Sequence, residues 1–202
     1  MNKCIAFILE GETELEFYKK LVAYVHDIHP NKKFDCDIVY KCLKGVGGFK
    51  NEALRYFIKE LKTKYSSDTS FVIVFCSDTD VFEFQKNPPL DWKNVIQNFY
   101  DKGAGRVIHI EAKHCIEDWF LYDEEGIRNF LRLPKLTKIP KGDGYHSLQE
   151  LHKKVSKVYY KGMRSNGLIS KLDLSVIVSK TDVANSLEPL YKELGINIVD
   201  NK

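Results

Sequence analysis

The chain has 202 residues, of which 44% are hydrophobic and 29% are charged, and its formal net charge is +3. This composition is typical of a globular protein and excludes the apolar-poor composition of a disordered chain, while the small charge does not by itself indicate nucleic-acid binding. We predict one domain over residues 1–202, with a core at about 1–122 and a helical extension at about 123–202.

The longest apolar run near the start extends from Cys4 to Leu9, and four glutamates follow it within seven residues. This run is too short to cross a membrane or to form the core of a signal peptide. We therefore expect a cytoplasmic protein that does not contact a membrane.

Strand patterns and helix patterns alternate through the first half of the chain. Strands are predicted at residues 3–9, 34–43, 71–76 and 106–110, and helices at residues 12–26, 49–64 and 92–100. The run 71–76 (FVIVFC) is apolar throughout, as in a central strand that is covered on both faces. This alternation predicts an α/β fold, namely an open, mostly parallel sheet of about four strands flanked by helices.

The rest of the chain has a helical pattern. Helices are predicted at residues 116–121, 124–131, 147–160 and 183–194, and residues 133–145 form a basic loop with two prolines and two glycines. We interpret this part as a helical C-terminal elaboration that packs on the sheet.

Two acidic motifs follow predicted strands. Glu10 and Glu14 lie one turn apart around Gly11, and Asp78 and Asp80 leave the apolar strand together. In open α/β sheets, ligands bind at the carboxyl ends of the strands. Mg²⁺ and Mn²⁺ prefer carboxylate oxygens, and clustered carboxylates repel one another without a cation. We therefore predict that these four residues hold Mg²⁺ or Mn²⁺, although a single acidic residue after a strand is commonly a helix cap.

At these residues the sequence resembles the toprim fold, which topoisomerases, bacterial primases and the overcoming-lysogenization-defect nucleases share. In that fold, a glutamate after the first strand and a DxD pair after a later central strand bind Mg²⁺. The matching stretches are residues 7–11 (FILEG) and 75–80 (FCSDTD), and the EGxxE pattern of the nuclease branch falls on Glu10, Gly11 and Glu14. Residues 114–121 (HCIEDWFL), and residues 157–162 with 168–174, resemble small toprim-like proteins of phage-defence gene clusters.

The resemblance implies metal-dependent phosphodiester hydrolysis by a nuclease of anti-phage defence. Glu10 would be a metal ligand or general base, Asp78 and Asp80 metal ligands, and Glu14 a ligand at a second site. Glu117 would complete the second site, or be a helix residue that pairs with a lysine. Lys161 would be the catalytic cation near the phosphate, with Lys113 and Lys180 as alternatives.

Basic and aromatic residues provide a candidate surface for DNA or RNA. The predicted nucleic-acid contacts are Lys113, His114, Lys157, Tyr160, Lys161 and Arg164. Further lysines at positions 135, 138, 141, 153 and 154, and the tyrosines at positions 145 and 159, extend this surface, although charged runs on helices are commonly only solvated.

Two other functions are compatible with the same motifs. The strand that ends in Asp78-Thr79-Asp80 also resembles haloacid-dehalogenase phosphatases, in which the first aspartate attacks phosphorus. That reading leaves the Glu10-Gly11 turn without a role. Alternatively, the chain is a non-catalytic toprim-like sensor or partner-binding subunit, for example beside a defence-associated ATPase. The oligomeric state, and the choice between DNA and RNA, stay open at this point.

Overall fold

A parallel β-sheet forms the centre of the protein in the computed structural model, which describes residues 2–79 and 90–196. The four strands are β1 (Lys3–Leu9), β2 (Asp37–Cys42), β3 (Ser70–Asp78) and β4 (Arg106–Ala112). Their order in the sheet is β2-β1-β3-β4, and every pair is parallel. The predicted α/β fold with a mostly parallel four-stranded sheet is therefore confirmed.

Helices cover both faces of the sheet. In chain order they are α1 (Glu12–Ile28), α2 (Gly48–Tyr56), α3 (Trp92–Asp101), α4 (Ile116–Phe120), α5 (Glu124–Leu131), α6 (Gly144–Lys153), α7 (Asn166–Ile169), α8 (Leu174–Val178) and α9 (Thr181–Glu193). A π-helical turn at Phe57–Leu61 and one more turn at Lys62–Lys64 prolong α2, and a 3₁₀ turn at Gly162–Ser165 precedes α7.

Alternate residues of each central strand enter two separate apolar cores. On β3, Val72 and Val74 face the core that contains α1 and the helices from α4 onward, whereas Ile73 and Phe75 face the core that contains α2 and α3. Because both faces are covered, β3 is apolar over almost its full length, as the sequence predicted. The C-terminal helices belong to the same core as α1, so the predicted helical elaboration packs directly on the sheet.

The prediction of one helix over residues 147–160 is wrong, because α6 begins earlier and ends at Lys153. Ser156 adopts the left-handed conformation (φ 55°), and the backbone N–H of Lys157 donates to the carbonyl of His152 at 2.9 Å. This local bonding ends a helix and turns the chain. Residues 157–160 are therefore not helical, and 3₁₀ and α-helical turns that we had not predicted follow between Gly162 and Val178.

Within the described ranges, none of the helices combines the length and the hydropathy needed to cross a membrane.

Phe7 tests the packing of the sheet because its ring is fully buried on the central strand β1, between the rings of Tyr18 and Tyr40. We expect Phe7→Ala to lower the free energy of unfolding by about 3–5 kcal/mol, the usual cost of removing a buried phenyl ring. Leu136→Ala is the matched control, since Leu136 is 95% exposed, and it should change stability by no more than about 0.5 kcal/mol. Urea denaturation measures both, and equal losses in the two variants would contradict this packing.

Candidate functional site

Glu10 and Asp78 lie close together because β1 and β3 are neighbours. Leu9 pairs with Cys76 at the carboxyl ends of these strands, which places the residues that follow them side by side. The backbone N–H of Asp78 points to Oε2 of Glu10 at a distance of 3.4 Å. Two chain segments that lie 68 positions apart therefore contribute carboxylates to one edge of the sheet.

Glu14 reaches the same edge from the first turn of α1. Its side chain is buried, and its Oε2 lies 2.8 Å from the point where a Cβ of residue 11 would be. Gly11 therefore leaves the space that the Glu14 carboxylate occupies.

Glu117 completes the group from α4, where it is fully buried. The hydroxyl of Tyr159 donates to its Oε1 at 3.1 Å. Its Oε2 has no hydrogen-bond partner among the described residues, although the ammonium of Lys161 lies 3.3 Å away as an ion pair. A buried carboxylate oxygen without a hydrogen bond is uncommon, and here the ammonium of Lys161 supplies its counter-charge.

Helix α4 is held in place from two sides. The backbone N–H of Ile116 donates to Oδ1 of Asp78 at 2.9 Å, and the backbone N–H of Gly144 donates to the carboxylate of Asp118 at 2.5 Å. A Cβ on residue 144 would lie 2.4 Å from the backbone nitrogen of Asp118, so this close approach of α6 to α4 requires glycine. These contacts orient Glu117 toward Asp78.

Lys161 lies between Glu117 and Asp78. Its Nζ is 3.3 Å from Oε2 of Glu117 and 3.8 Å from Oδ2 of Asp78, and it lies 5.2 Å from the ring centroid of Tyr145. The side chain of Lys161 remains 42% exposed, so the ammonium also contacts solvent. The ammonium of Lys161 thus contacts two buried carboxylates and also reaches the surface of the protein.

The segment that carries Lys161 is attached to the start of α1. The backbone N–H of Gly162 donates to Oγ1 of Thr13 at 2.7 Å, and the N–H of Met163 points to Oε2 of Glu12 at 3.4 Å. Thr13 is buried. Helix α1 therefore carries Glu14 and also fixes the backbone of Gly162, the residue after Lys161.

Burial and like charges shift the proton affinities of the cluster. Burial, reinforced by the carboxylate of Glu14, raises the pKa of Asp78 to about 9. Burial, reinforced by the carboxylates of Glu117 and Glu10, raises the pKa of Glu14 to about 7. Burial alone would lower the pKa of Lys161, but the carboxylates of Glu117 and Asp78 outweigh it and raise that pKa above its ordinary value. The single ammonium therefore does not neutralise the cluster.

The chemistry of these donors suits Mg²⁺ or Mn²⁺, because all are hard carboxylate oxygens and one of them, Oε2 of Glu117, lacks a hydrogen bond. In this conformation, however, no three acidic, histidine or cysteine side chains in the described ranges converge closely enough to hold an ion. The ammonium of Lys161 already lies between Glu117 and Asp78. The predicted ligand Asp80 lies outside the described residues.

The predicted nucleic-acid contacts come from two parts of the chain. Lys113 is exposed after β4, and the backbone of His114, in the left-handed conformation (φ 60°), bonds to the side chain of Thr79. Lys157, Tyr160 and Arg164 are exposed on the segment around Lys161. The further lysines at positions 135, 138, 141, 153 and 154 are also exposed.

The structure corrects the sequence analysis at one residue and adds another residue to the site. Tyr159 is buried and bonds to Glu117, so its assignment to a surface that stacks with bases is wrong. Thr13 was not predicted at all, although it lies inside the EGxxE motif, because nothing in the spacing indicates a partner 149 residues away. Tyr159 precedes Lys161 by two positions, and this alternation in an extended segment could have indicated that both side chains point inward.

Searches against protein-family models, curated proteins and solved structures give no match for this chain.

The raised pKa values predict how the stability of the metal-free protein changes with pH. Because the folded-state pKa values of Asp78 and Glu14 lie above their unfolded values, the folded chain holds protons that the unfolded chain loses between about pH 4 and pH 9. From these values the two carboxyl groups should lower the free energy of unfolding by about 6 kcal/mol as the pH rises from 5 to 8, and His109, whose pKa burial lowers to about 4, should offset part of this fall. Urea denaturation in EDTA measures this slope.

Asp78→Asn should flatten this dependence, since the amide keeps the uncharged form at every pH. Glu125→Gln, which changes an exposed carboxylate on α5, should keep the wild-type slope. A stability that rises between pH 5 and pH 8 in the wild-type protein would contradict the raised pKa values.

Lys161→Met should destabilise the metal-free protein at pH 8, because it leaves the buried carboxylate of Glu117 without its cation. We expect a loss of about 1–3 kcal/mol in the free energy of unfolding, and a smaller loss when Glu117→Gln is added to the same chain. Lys157→Met, an exposed lysine in the same segment, should cost less than about 0.5 kcal/mol. If Lys161→Met and Lys157→Met are equally stable, the ion pairs do not support the fold.

Proposed function

We propose that this chain is a Mg²⁺- or Mn²⁺-dependent nuclease that hydrolyses phosphodiester bonds of DNA or RNA in the cytoplasm. The observation that carries the proposal is the group of four carboxylates, from Glu10, Glu14, Asp78 and Glu117, beside the exposed end of Lys161 at the carboxyl edge of a parallel sheet. The burial of several carboxylates beside a single cation lowers the stability of the fold. Such unfavourable groups of charges, with shifted pKa values, are characteristic of functional sites. The resemblance of the same residues to the toprim nucleases supports the same chemistry.

Each residue has a role that its surroundings favour. Glu10, Asp78 and Glu117 would hold the metal, with Asp80 as a further ligand in the resemblance, and Glu14 would lie beside them without binding it. A bound Mg²⁺ or Mn²⁺ supplies Lewis-acid stabilisation of the phosphodiester and of its leaving oxygen. Lys161 would contribute its ammonium to the developing negative charge on the phosphate, because its Nζ reaches solvent beside the carboxylates.

Proton transfer has a candidate in Glu14. In the metal-free protein, burial raises the pKa of Glu14 to about 7, near neutral pH, where a carboxylate that is not bound to the metal can both accept and return a proton. The first turn of α1 and the space above Gly11 hold its carboxylate at the cluster. Glu14 would therefore take a proton from an attacking water at one of its carboxylate oxygens.

The exposed basic residues support a nucleic-acid substrate. Lys157 and Arg164 lie on the same segment as Lys161, and Lys113 follows β4. Their charges would neutralise the phosphate backbone on either side of the cleaved bond. The resemblance to small toprim-like proteins of defence gene clusters extends the proposal to anti-phage defence, with a defence-associated ATPase as the candidate partner.

Hydrolysis of labelled DNA and RNA in the presence of Mn²⁺ tests the proposal. We expect Asp78→Asn and Glu117→Gln to lower the rate by about a hundredfold or more, since each removes a carboxylate from the cluster. Glu125→Gln should leave the rate unchanged, because its side chain is exposed on α5. Isothermal titration with Mn²⁺ gives an independent reading, in which the two cluster variants bind Mn²⁺ more weakly than the wild-type protein.

Two outcomes would replace the proposal. Mn²⁺ binding that depends on Asp78 without hydrolysis of any substrate would favour the non-catalytic, partner-binding role. Hydrolysis of phosphate monoesters with a phosphorylated Asp78, detected by mass spectrometry, would favour the haloacid-dehalogenase mechanism.

A further inference from the structure

Three large side chains are exposed on the segment that carries Lys161. Val158 is 61% exposed, Tyr160 is 48% exposed and Met163 is 72% exposed. The residues between them behave differently, since Tyr159 is buried against Glu117 and Lys161 pairs with two carboxylates. The segment thus directs one set of side chains into the site and another set, around Tyr160, to the surface next to it.

The ring of Tyr160 has a cation beside it. The guanidinium Cζ of Arg164 lies 4.8 Å from the ring centroid, within the range of a cation–π contact. This contact restricts the orientation of the ring and adds a positive charge to an exposed aromatic surface. An aromatic face with an adjacent guanidinium is a surface on which a nucleobase can stack.

The surrounding charges fit a nucleic-acid backbone. Lys153, Lys154 and Lys157 are exposed on the chain that leads to Tyr160, and none of the three forms an ion pair with a described residue. The Cα atoms of Tyr160 and Lys161 are about 3.8 Å apart, as in any trans peptide. The two side chains therefore start from neighbouring points of the backbone, and a strand whose phosphate lies at Lys161 would pass the surface that carries Tyr160.

We propose that Tyr160 and Arg164 form a stacking site for an unpaired nucleobase, and that the substrate of the candidate site is single-stranded nucleic acid or a single-stranded segment of a folded one. This inference rests on the proposed function and specifies its substrate. In a duplex, each base is stacked between its neighbours and must be extruded before a protein ring can cover its face. An exposed ring beside the site therefore favours a strand that is already unpaired.

Fluorescence anisotropy with labelled oligonucleotides tests this inference. Three probes of one length are compared in EDTA, namely a single strand, the corresponding duplex and a single strand with abasic positions. The wild-type protein should bind the single strand more tightly than either of the other probes. Tyr160→Leu should weaken binding to the base-containing single strand about tenfold, which corresponds to about 1.4 kcal/mol, and should leave binding to the abasic strand unchanged.

Tyr160→Phe is the matched control, because it keeps the ring and removes only the hydroxyl, and it should bind the single strand as the wild-type protein does. Urea denaturation of both variants checks that the fold is intact, which the exposure of Tyr160 leads us to expect. Equal affinity of the wild-type protein and Tyr160→Leu would overturn the inference. So would binding to none of the probes, tighter binding to the duplex, or self-association that Tyr160→Leu abolishes in sedimentation.

The test separates this inference from the proposed function, since binding in EDTA does not require the metal. Single-strand binding that depends on Tyr160, without hydrolysis in Mn²⁺, would contradict the nuclease alone. Hydrolysis in Mn²⁺ with equal affinity of the wild-type protein and Tyr160→Leu for the single strand would contradict the stacking site alone.

Discussion

The ion pairs of Lys161 with Glu117 and Asp78 join three parts of the chain, two of which carry carboxylates that would otherwise repel each other. Asp78 ends β3, Glu117 lies on α4, and Lys161 follows the irregular segment after α6. Two buried carboxylates close together are unfavourable unless a cation or bound protons compensate their negative charge. The position of the last third of the chain is thus tied to the acidic edge of the sheet by charge as well as by the apolar core.

The same arrangement explains why the site has a high proton affinity. Four carboxylates lie near one ammonium, and burial, reinforced by the excess negative charge, raises the pKa values of Asp78 and Glu14. A divalent cation would remove this excess more completely than one lysine does, and the exposed end of Lys161 allows its ammonium to move toward solvent or a substrate phosphate. Thr13 restricts that movement to the side chain, because it bonds the backbone next to Lys161 to α1.

The first half of the fold follows from local patterns. The apolar run of β3 and the alternation of strands with helices sufficed to predict the parallel sheet, since a strand covered on both faces needs apolar residues at every position. The end of α6 was not predictable in this way. Residues 154–161 contain no proline or glycine, and the helix ends through the left-handed Ser156 and a backbone hydrogen bond from Lys157 to His152.

The sequence by itself determined which residues lie at the carboxyl ends of the strands, because short-range patterns mark where β1 and β3 stop. Glu10, Glu14 and Asp78 were identified in that way. Only the tertiary structure decided that Glu117 is fully buried, that Tyr159 bonds to it instead of facing solvent, and that Lys161 lies between Glu117 and Asp78. These contacts join residues 42 or more positions apart, and the packing of α4 and α6 on the sheet sets them, which no local spacing encodes.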